Sequence, residues 1–217
     1  MRILFKYATK GRPEWFKQTL ETYQRLFSGN HFCYFIVSMN EDDPTMNNLD
    51  IRSFLLSKSN VAFEYGKHKC KIEAINADME GVDCFDILVV VSDDMVPVVQ
   101  DFDDIIASDM NKYFPNLDGA LHYPDGIQRD NLITCSIMGK KLYDNFGYIY
   151  NPAYLSLFCD TEFTEIVKRD KKVKFIDRMI IRHEWRKHDD ELYNRNNALF
   201  GRDREVFESR KEANFPL

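Results

Sequence analysis

Asp86-Ile87-Leu88-Val89-Val90-Val91-Ser92-Asp93-Asp94-Met95 is the stretch whose reading decides the fold. Its first part is a short, continuous apolar run rich in β-branched residues. That pattern suits a central parallel strand covered on both faces. Its second part sets two adjacent carboxylates directly after the strand. In open α/β sheets, ligands bind beyond the carboxyl ends of the strands, so Asp93 and Asp94 stand where a site is expected. Two neighbouring carboxylates there are costly unless something positive joins them, and Mg²⁺ and Mn²⁺ prefer carboxylate and phosphate oxygens. The plainer alternative is an aspartate that caps the next helix.

Upstream of this strand, residues 3–8 form a β-type run, and Pro13 opens a helical pattern with Phe16, Leu20, Tyr23 and Phe27 on one face. A second strand over 32–39 ends in the turn cluster Asn40-Glu41-Asp42-Asp43-Pro44. A third, over 61–65, closes at Gly66, and residues 71–79 read as a helix with Ile72, Ile75 and Met79 in one stripe. This alternation predicts an α/β protein with a doubly wound, mostly parallel sheet. Downstream the pattern is less regular. It predicts helices over 102–114 and 161–168, and strands over 119–122, 132–138, 173–176 and 179–181. Residues 189–210 are densely charged and read as a surface helix or tail. With no repeat and no clear linker, 1–217 reads as one domain, with 189–217 a charged, helical C-terminal extension.

Composition narrows the function. A hydrophobic content of 44% with 14% aromatics supplies a core and argues against disorder. A net charge of -6 offers no global basic balance for a nucleic-acid backbone, although a local basic groove is compatible with it. The five cysteines show no CxxC spacing, which predicts free thiols in a reducing cytoplasm and no zinc site. The N-terminus lacks a signal-peptide pattern, and the longest apolar run is far too short to cross a bilayer.

Other segments could carry chemistry. Ala8-Thr9-Lys10-Gly11-Arg12-Pro13 is a glycine-bearing turn before a helix, where backbone N–H groups and Arg12 can face an anion. It has neither the dinucleotide fingerprint nor the P-loop pattern. Lys69 and Lys71 open the third helix, where solvated charge is their ordinary fate. Asp160 and Glu162 open a later helix, and their bland account is capping. His183 follows an apolar run and is either a ligand or a structural histidine. The aromatic-rich residues 146–152 either line an acceptor site or pack in the core.

In chain order, Ala8-Thr9-Lys10-Gly11-Arg12-Pro13, Lys71-Ile72-Glu73-Ala74-Ile75-Asn76, Ser92-Asp93-Asp94-Met95, Cys159-Asp160-Thr161-Glu162-Phe163 and His183-Glu184-Trp185 resemble the motifs of the family-2-like GT-A glycosyltransferases. No motif matches beyond about residue 188. The resemblance implies a GT-A, Rossmann-like three-layer sandwich. It also implies metal-dependent, inverting transfer of a hexosyl or pentosyl group from a nucleoside-diphosphate sugar to an acceptor hydroxyl. The acceptor would be a glycan or another hydroxyl compound, with a nucleic acid left open. The cofactor implied is Mn²⁺ or Mg²⁺, held by Asp93, Asp94 and His183. Thr9, Arg12, Asp42, Lys71, Asn76 and Asp93 would serve the donor. Asp160 would be the general base, with Glu162 its main rival and Asp125 and Asp130 weaker ones. The sequence departs from the spaced Asp-X-Asp of the family, which leaves open whether Asp93 or Asp94 touches the metal. Two other readings remain. A nucleotidyltransferase would want more glycines near the first strand than Gly11 alone. A non-catalytic nucleotide-sugar-binding module would have little use for Asp160 and His183.

Overall fold

In β1 (Arg2–Ala8), side chains alternate across the sheet: Ile3, Phe5 and Tyr7 enter one hydrophobic layer, while Leu4 and Lys6 are buried on the opposite face. The computed structural model describes residues 1–184 and 191–216. From β1 the chain runs through α1 (Pro13–Leu26), β2 (Phe32–Asn40), α2 (Leu49–Leu56), β3 (Val61–Gly66), α3 (Lys71–Asn76) and β4 (Ile87–Val91). It continues through β5 (Met95–Pro97), α4 (Phe102–Tyr113), β6 (Ala120–His122), β7 (Ile137–Gly139), α5 (Lys140–Phe146) and α6 (Cys159–Arg169). The last elements are β8 (Val173–Phe175), β9 (Ile181–His183), α7 (Glu191–Asn197) and α8 (Phe200–Glu212).

The main sheet has the order β3-β2-β1-β4-β7-β6-β8, and β7 alone runs against the other strands. All five residues of β4 are buried, as a central strand with two covered faces requires. One layer is built by α1, α2 and α4, through Phe16, Leu20, Tyr23, Ile51, Leu55, Phe102 and Ile106. The opposite layer holds α3, α5, α6 and α8, through Ile72, Ile75, Leu142, Phe163, Val167 and Phe207. Each such side chain contributes roughly 1.5–3 kcal/mol by leaving water. The result is a three-layer α/β sandwich. A separate antiparallel pair, β5 with β9, sets His183 opposite Met95, just past the end of β4.

Several expectations about elements change. The third helix stops at Asn76, because Asp78 takes a left-handed φ of 59°. Only Ile137–Gly139 of the expected strand over 132–138 is strand. Before it, the Ile133 N–H is drawn to Thr164 and the Thr134 hydroxyl to Asp125. At Gly139 a Cβ would lie 2.3 Å from the Leu117 carbonyl, so glycine permits the close approach of β7 to that turn. The elements α2, α5 and β5 had no predicted counterpart. The charged C-terminal residues are also more than a surface tail. Asp203 and Phe207 of α8 are buried, and α8 packs on α6. Residues 189 and 190, where the extension was expected to start, and Trp185 lie outside the described residues.

Candidate active site

Burial of β4 fixes the position of the acidic pair that follows it, and the two aspartates then meet opposite surroundings. Asp93 turns inward. Its Oδ1 accepts the Tyr7 hydroxyl at 3.0 Å, and the Thr9 hydroxyl reaches both of its oxygens at 3.0 and 3.1 Å. The Thr19 hydroxyl holds its backbone carbonyl at 2.8 Å. Burial raises the Asp93 carboxyl to about 7, against the opposing pull of Thr9 and Tyr7. Asp93 is thus engaged with neutral donors that tie β1 to β4.

Asp94 turns the other way, toward His183 of β9 and Lys71 of α3. It accepts the Ser92 hydroxyl at 2.5 Å and lies 3.4 Å from Nε2 of His183. Burial works against its charge, but His183, Ser92 and then Lys71 outweigh it and hold the carboxyl well below the usual range. The other face of the imidazole is occupied as well: Nδ1 of His183 lies 3.5 Å from Asp125 Oδ2. Asp125 is itself fixed by the Thr134 hydroxyl at 2.6 Å and by the N–H groups of Ile127 and Gln128 at 2.8 and 2.6 Å. Its carbonyl accepts the His183 N–H at 2.8 Å. Hydrogen bonding to Asp125 and Asp94 raises His183 to about 9. His183 is therefore an arm between two carboxylates and not an apolar core histidine.

Lys71, exposed at the first position of α3, is close enough to favour the ionised forms of both Asp94 and Asp160. Asp160 sits in the first turn of α6 and accepts the Thr161 N–H at 2.9 Å. A helix N-terminus favours a carboxylate, yet burial dominates here and raises the Asp160 carboxyl. The loop 8–13 follows β1 and lies beside Asp93, which Thr9 contacts. Gly11, at φ 74°, donates its N–H to the buried Asp43 at 2.8 Å. Arg12 stands over the Trp15 ring at 5.5 Å, and its charge favours ionised Asp93.

Several expected placements are changed or decided by the structure. Glu162 does not share the surroundings of Asp160. On a helix, residues two apart face nearly opposite sides, and Glu162 is buried against Tyr154 Oη at 2.7 Å and Arg210 at 2.7 and 2.9 Å. Asn76 spends its amide on the backbone, donating to the Tyr150 carbonyl at 2.7 Å and accepting from Ile149 and Tyr150 at 2.9 and 3.1 Å. Asp42 is 74% exposed and pairs with Lys10 at 3.5 Å, whereas its neighbour Asp43 anchors the loop. The aromatic residues 146–152 belong largely to the core: Ile149 and Tyr150 are buried, and the Tyr150 hydroxyl meets Ser136 at 2.9 Å. Asp130 is exposed, and its backbone carbonyl accepts the Lys168 ammonium at 2.5 Å. Sequence reasoning placed Asp125 only among weak candidate bases and missed it as the partner of His183. Tyr7, inside a strand, carried no signal at all.

Neither a protein-family model nor a curated protein matches this sequence. Solved structures do resemble it. A mannosyltransferase from Pyrobaculum calidifontis, in complex with GDP-Man and Mn²⁺, superposes with a TM-score of 0.72 at 10% identity, over 96% of this chain and 64% of that one. The chain has the GT-A fold. Residues 1–349 of S. aureus TarS with UDP-GlcNAc give a TM-score of 0.69 at 11% identity, over 87% and 60%. This GT-A chain thus spans less than two thirds of both transferases. A 4-diphosphocytidyl-2C-methyl-D-erythritol synthase from Anaerococcus prevotii is more distant, with a TM-score of 0.56 at 13% identity over 92% and 96%.

Proposed function

We propose that this GT-A chain is a metal-dependent, inverting glycosyltransferase that moves a sugar from a nucleoside-diphosphate sugar to an acceptor hydroxyl. The observation that carries the reading is the convergence of Asp94, His183, Lys71 and Asp160 past the end of the central strand. The complexes of the two transferases with GDP-Man and Mn²⁺ and with UDP-GlcNAc support the donor class.

The residues fit a divalent cation. Asp94 and His183 Nε2 already face each other at 3.4 Å, and Asp125 steadies the far ring nitrogen, the outer partner that metal-binding histidines ordinarily have. Among the described residues, no three His, Cys, Asp or Glu side chains are grouped to hold a metal unaided. Phosphate oxygens of a bound donor would complete the coordination. Asp93, with both oxygens engaged by Tyr7 and Thr9, serves as an anchor. An imidazole donor favours Mn²⁺ over Mg²⁺. The bound cation supplies Lewis-acid stabilisation of the leaving nucleoside diphosphate.

The chain's own groups do the rest. Lys71 and Arg12 add positive charge on the donor side. Asp160, its pKa raised by burial, takes the proton from the acceptor hydroxyl as its oxygen attacks the anomeric carbon. A base with a raised pKa is nearer the range in which proton transfer at neutral pH is efficient. Direct displacement inverts the anomeric centre. The five cysteines are all free thiols, which fits a cytoplasmic setting. No helix among the described residues is long and apolar enough to cross a membrane.

A screen of nucleotide sugars by thermal shift, with and without Mn²⁺, followed by an assay for slow donor hydrolysis, tests the reading. A rise in melting temperature that requires both a nucleotide sugar and Mn²⁺ supports it. Binding without turnover would favour a non-catalytic module. Pyrophosphate release from a nucleoside triphosphate would favour the nucleotidyl-transfer reading, to which the erythritol synthase likeness lends some weight.

A further inference from the structure

The connection over 154–158 ends at the first turn of α6, where Asp160 stands, and it is held from an unexpected side. The carboxylate of Asp203 on α8 is fully buried. It accepts three consecutive backbone N–H groups, those of Leu155 at 3.1 Å, Ser156 at 2.8 Å and Leu157 at 2.8 Å. Successive N–H groups that converge in this way form a nest for an anion, and here the anion is part of the chain. Arg202 donates to the same carboxylate at 2.6 Å and to the Ala153 carbonyl at 2.8 Å.

The connection passes this constraint in two directions. The Leu155 carbonyl accepts the Ile72 N–H at 3.4 Å, beside Lys71 at the start of α3. At the other end, Phe158 takes a left-handed φ of 62°, and its carbonyl accepts the Glu162 N–H at 2.9 Å, which closes the turn that carries Asp160. A left-handed phenylalanine is strained and persists only where its surroundings hold it. Further contacts fasten α8 onto α6: Arg210 to Glu162, Lys211 to Glu165 at 2.7 Å, and the Phe207 ring 5.7 Å from that of Phe158.

We propose that Asp203 is a positioning residue for the site: by filling the nest at 155–157 it sets Lys71 and Asp160 against each other. The kinetic part rests on the glycosyl-transfer reading. A contact needed only for folding would have no further effect once a variant is folded. A positioning anion, by contrast, can be replaced from solution.

The experiment compares Asp203→Ala and Asp203→Asn with the wild type, well below their melting temperatures. It measures Mn²⁺-dependent donor hydrolysis, nucleoside-diphosphate affinity, and amide hydrogen exchange at 155–157. Each is read with added formate and with chloride at equal ionic strength. The expected result is a fall in kcat of about 10–100-fold, the scale of a small misplacement of reacting groups, with donor affinity nearly unchanged. Formate, but not chloride, should restore part of kcat and the amide protection in Asp203→Ala. It should do neither in Asp203→Asn, whose amide keeps formate out but turns an NH2 donor against the Leu155 and Arg202 donors or against those of Ser156 and Leu157. Should Asp203→Ala not fold, the same kcat loss in folded Asp203→Asn carries the test. Wild-type kcat in either folded variant would overturn the proposal, as would a loss that formate repairs in melting temperature alone. A wild-type protein inactive on every nucleotide sugar would instead overturn the glycosyl-transfer reading. The hydrogen-exchange arm then decides about Asp203, since absence of formate-dependent protection in Asp203→Ala overturns its role.

Discussion

The two halves of the sheet are built differently. In the half formed by β3, β2, β1 and β4, strands of five to nine residues run parallel, and each pairs over most of its length. In the half formed by β7, β6 and β8, every strand has three residues and one runs in reverse. The first half carries its site residues at strand ends and the helix starts that follow, as with Asp94 and Lys71. The second half carries Asp125, Asp160 and His183 on loops, a helix start and a short strand, which are held by polar contacts from distant segments. Apolar burial orders the strands of both halves, while the site residues of the second half depend on hydrogen bonds from distant segments.

The sharpest way to break this comparison is to remove one chemical group from each half. Asp160→Asn keeps the shape and removes the basicity. Turnover should fall by about 10²–10⁴-fold with donor affinity nearly unchanged, and NMR of the new glycosidic bond should show inverted configuration. Retention of configuration would reject single displacement. In the other half, Asp94→Ala should abolish Mn²⁺ binding measured by calorimetry with nucleoside diphosphate present, while the protein stays folded. If Asp93→Asn did so in its place, the assignment of the two aspartates would be reversed.

Glu162→Ala tests whether an acid only two residues from Asp160 acts structurally. It leaves the half-buried Arg210 charge without its carboxylate, at a cost below the roughly 3–5 kcal/mol of a fully buried pair. Urea denaturation should show the loss. A stable variant with turnover as low as that of Asp160→Asn would make Glu162 catalytic.

A smaller effect should come from His183 in metal-free protein. Its pKa is raised from 6.5 to about 9 by Asp125 and Asp94, so its stabilisation is complete below 6.5 and disappears as pH rises through about 9. In EDTA, the melting temperature of the wild type should fall more between about pH 7 and pH 10 than that of His183→Gln. Parallel curves would mean that the two carboxylates do not hold a charged imidazole. The smallest effect is expected at Asp42. At 74% exposed and paired with Lys10 at the rim, Asp42→Asn should leave the melting temperature nearly unchanged. A large loss of donor affinity in that variant would put the nucleoside at this rim.

The same contrast explains what could be read in advance. The parallel half was legible, since apolar alternation and turn residues are local signals, and β1, α1, β2, β3 and β4 fall close to their expected bounds. The second half was less so. In α8 the buried residues are Asp203 and Phe207, with Val206 and Arg210 half-buried beside them, so half of the inward face is charged. A hydrophobic pattern is blind to such a face. Likewise Asn76 and Glu162 have the residue types of a site, and only their partners reveal them as struts.

The sequence by itself determined the α/β class, the central strand 87–91 and the position of an acidic pair at its end. A run buried on both faces must be apolar throughout, and the chain leaves it at the sheet's carboxyl edge. Only the tertiary structure decided that Asp93 turns inward and Asp94 outward, that Asp125 backs His183, and that α8 holds the turn leading to Asp160. These are choices among side chains of identical type. They are made by partners 46 to 86 residues away, such as Tyr7, Thr9, Asp125 and Asp203, which no local pattern can contain.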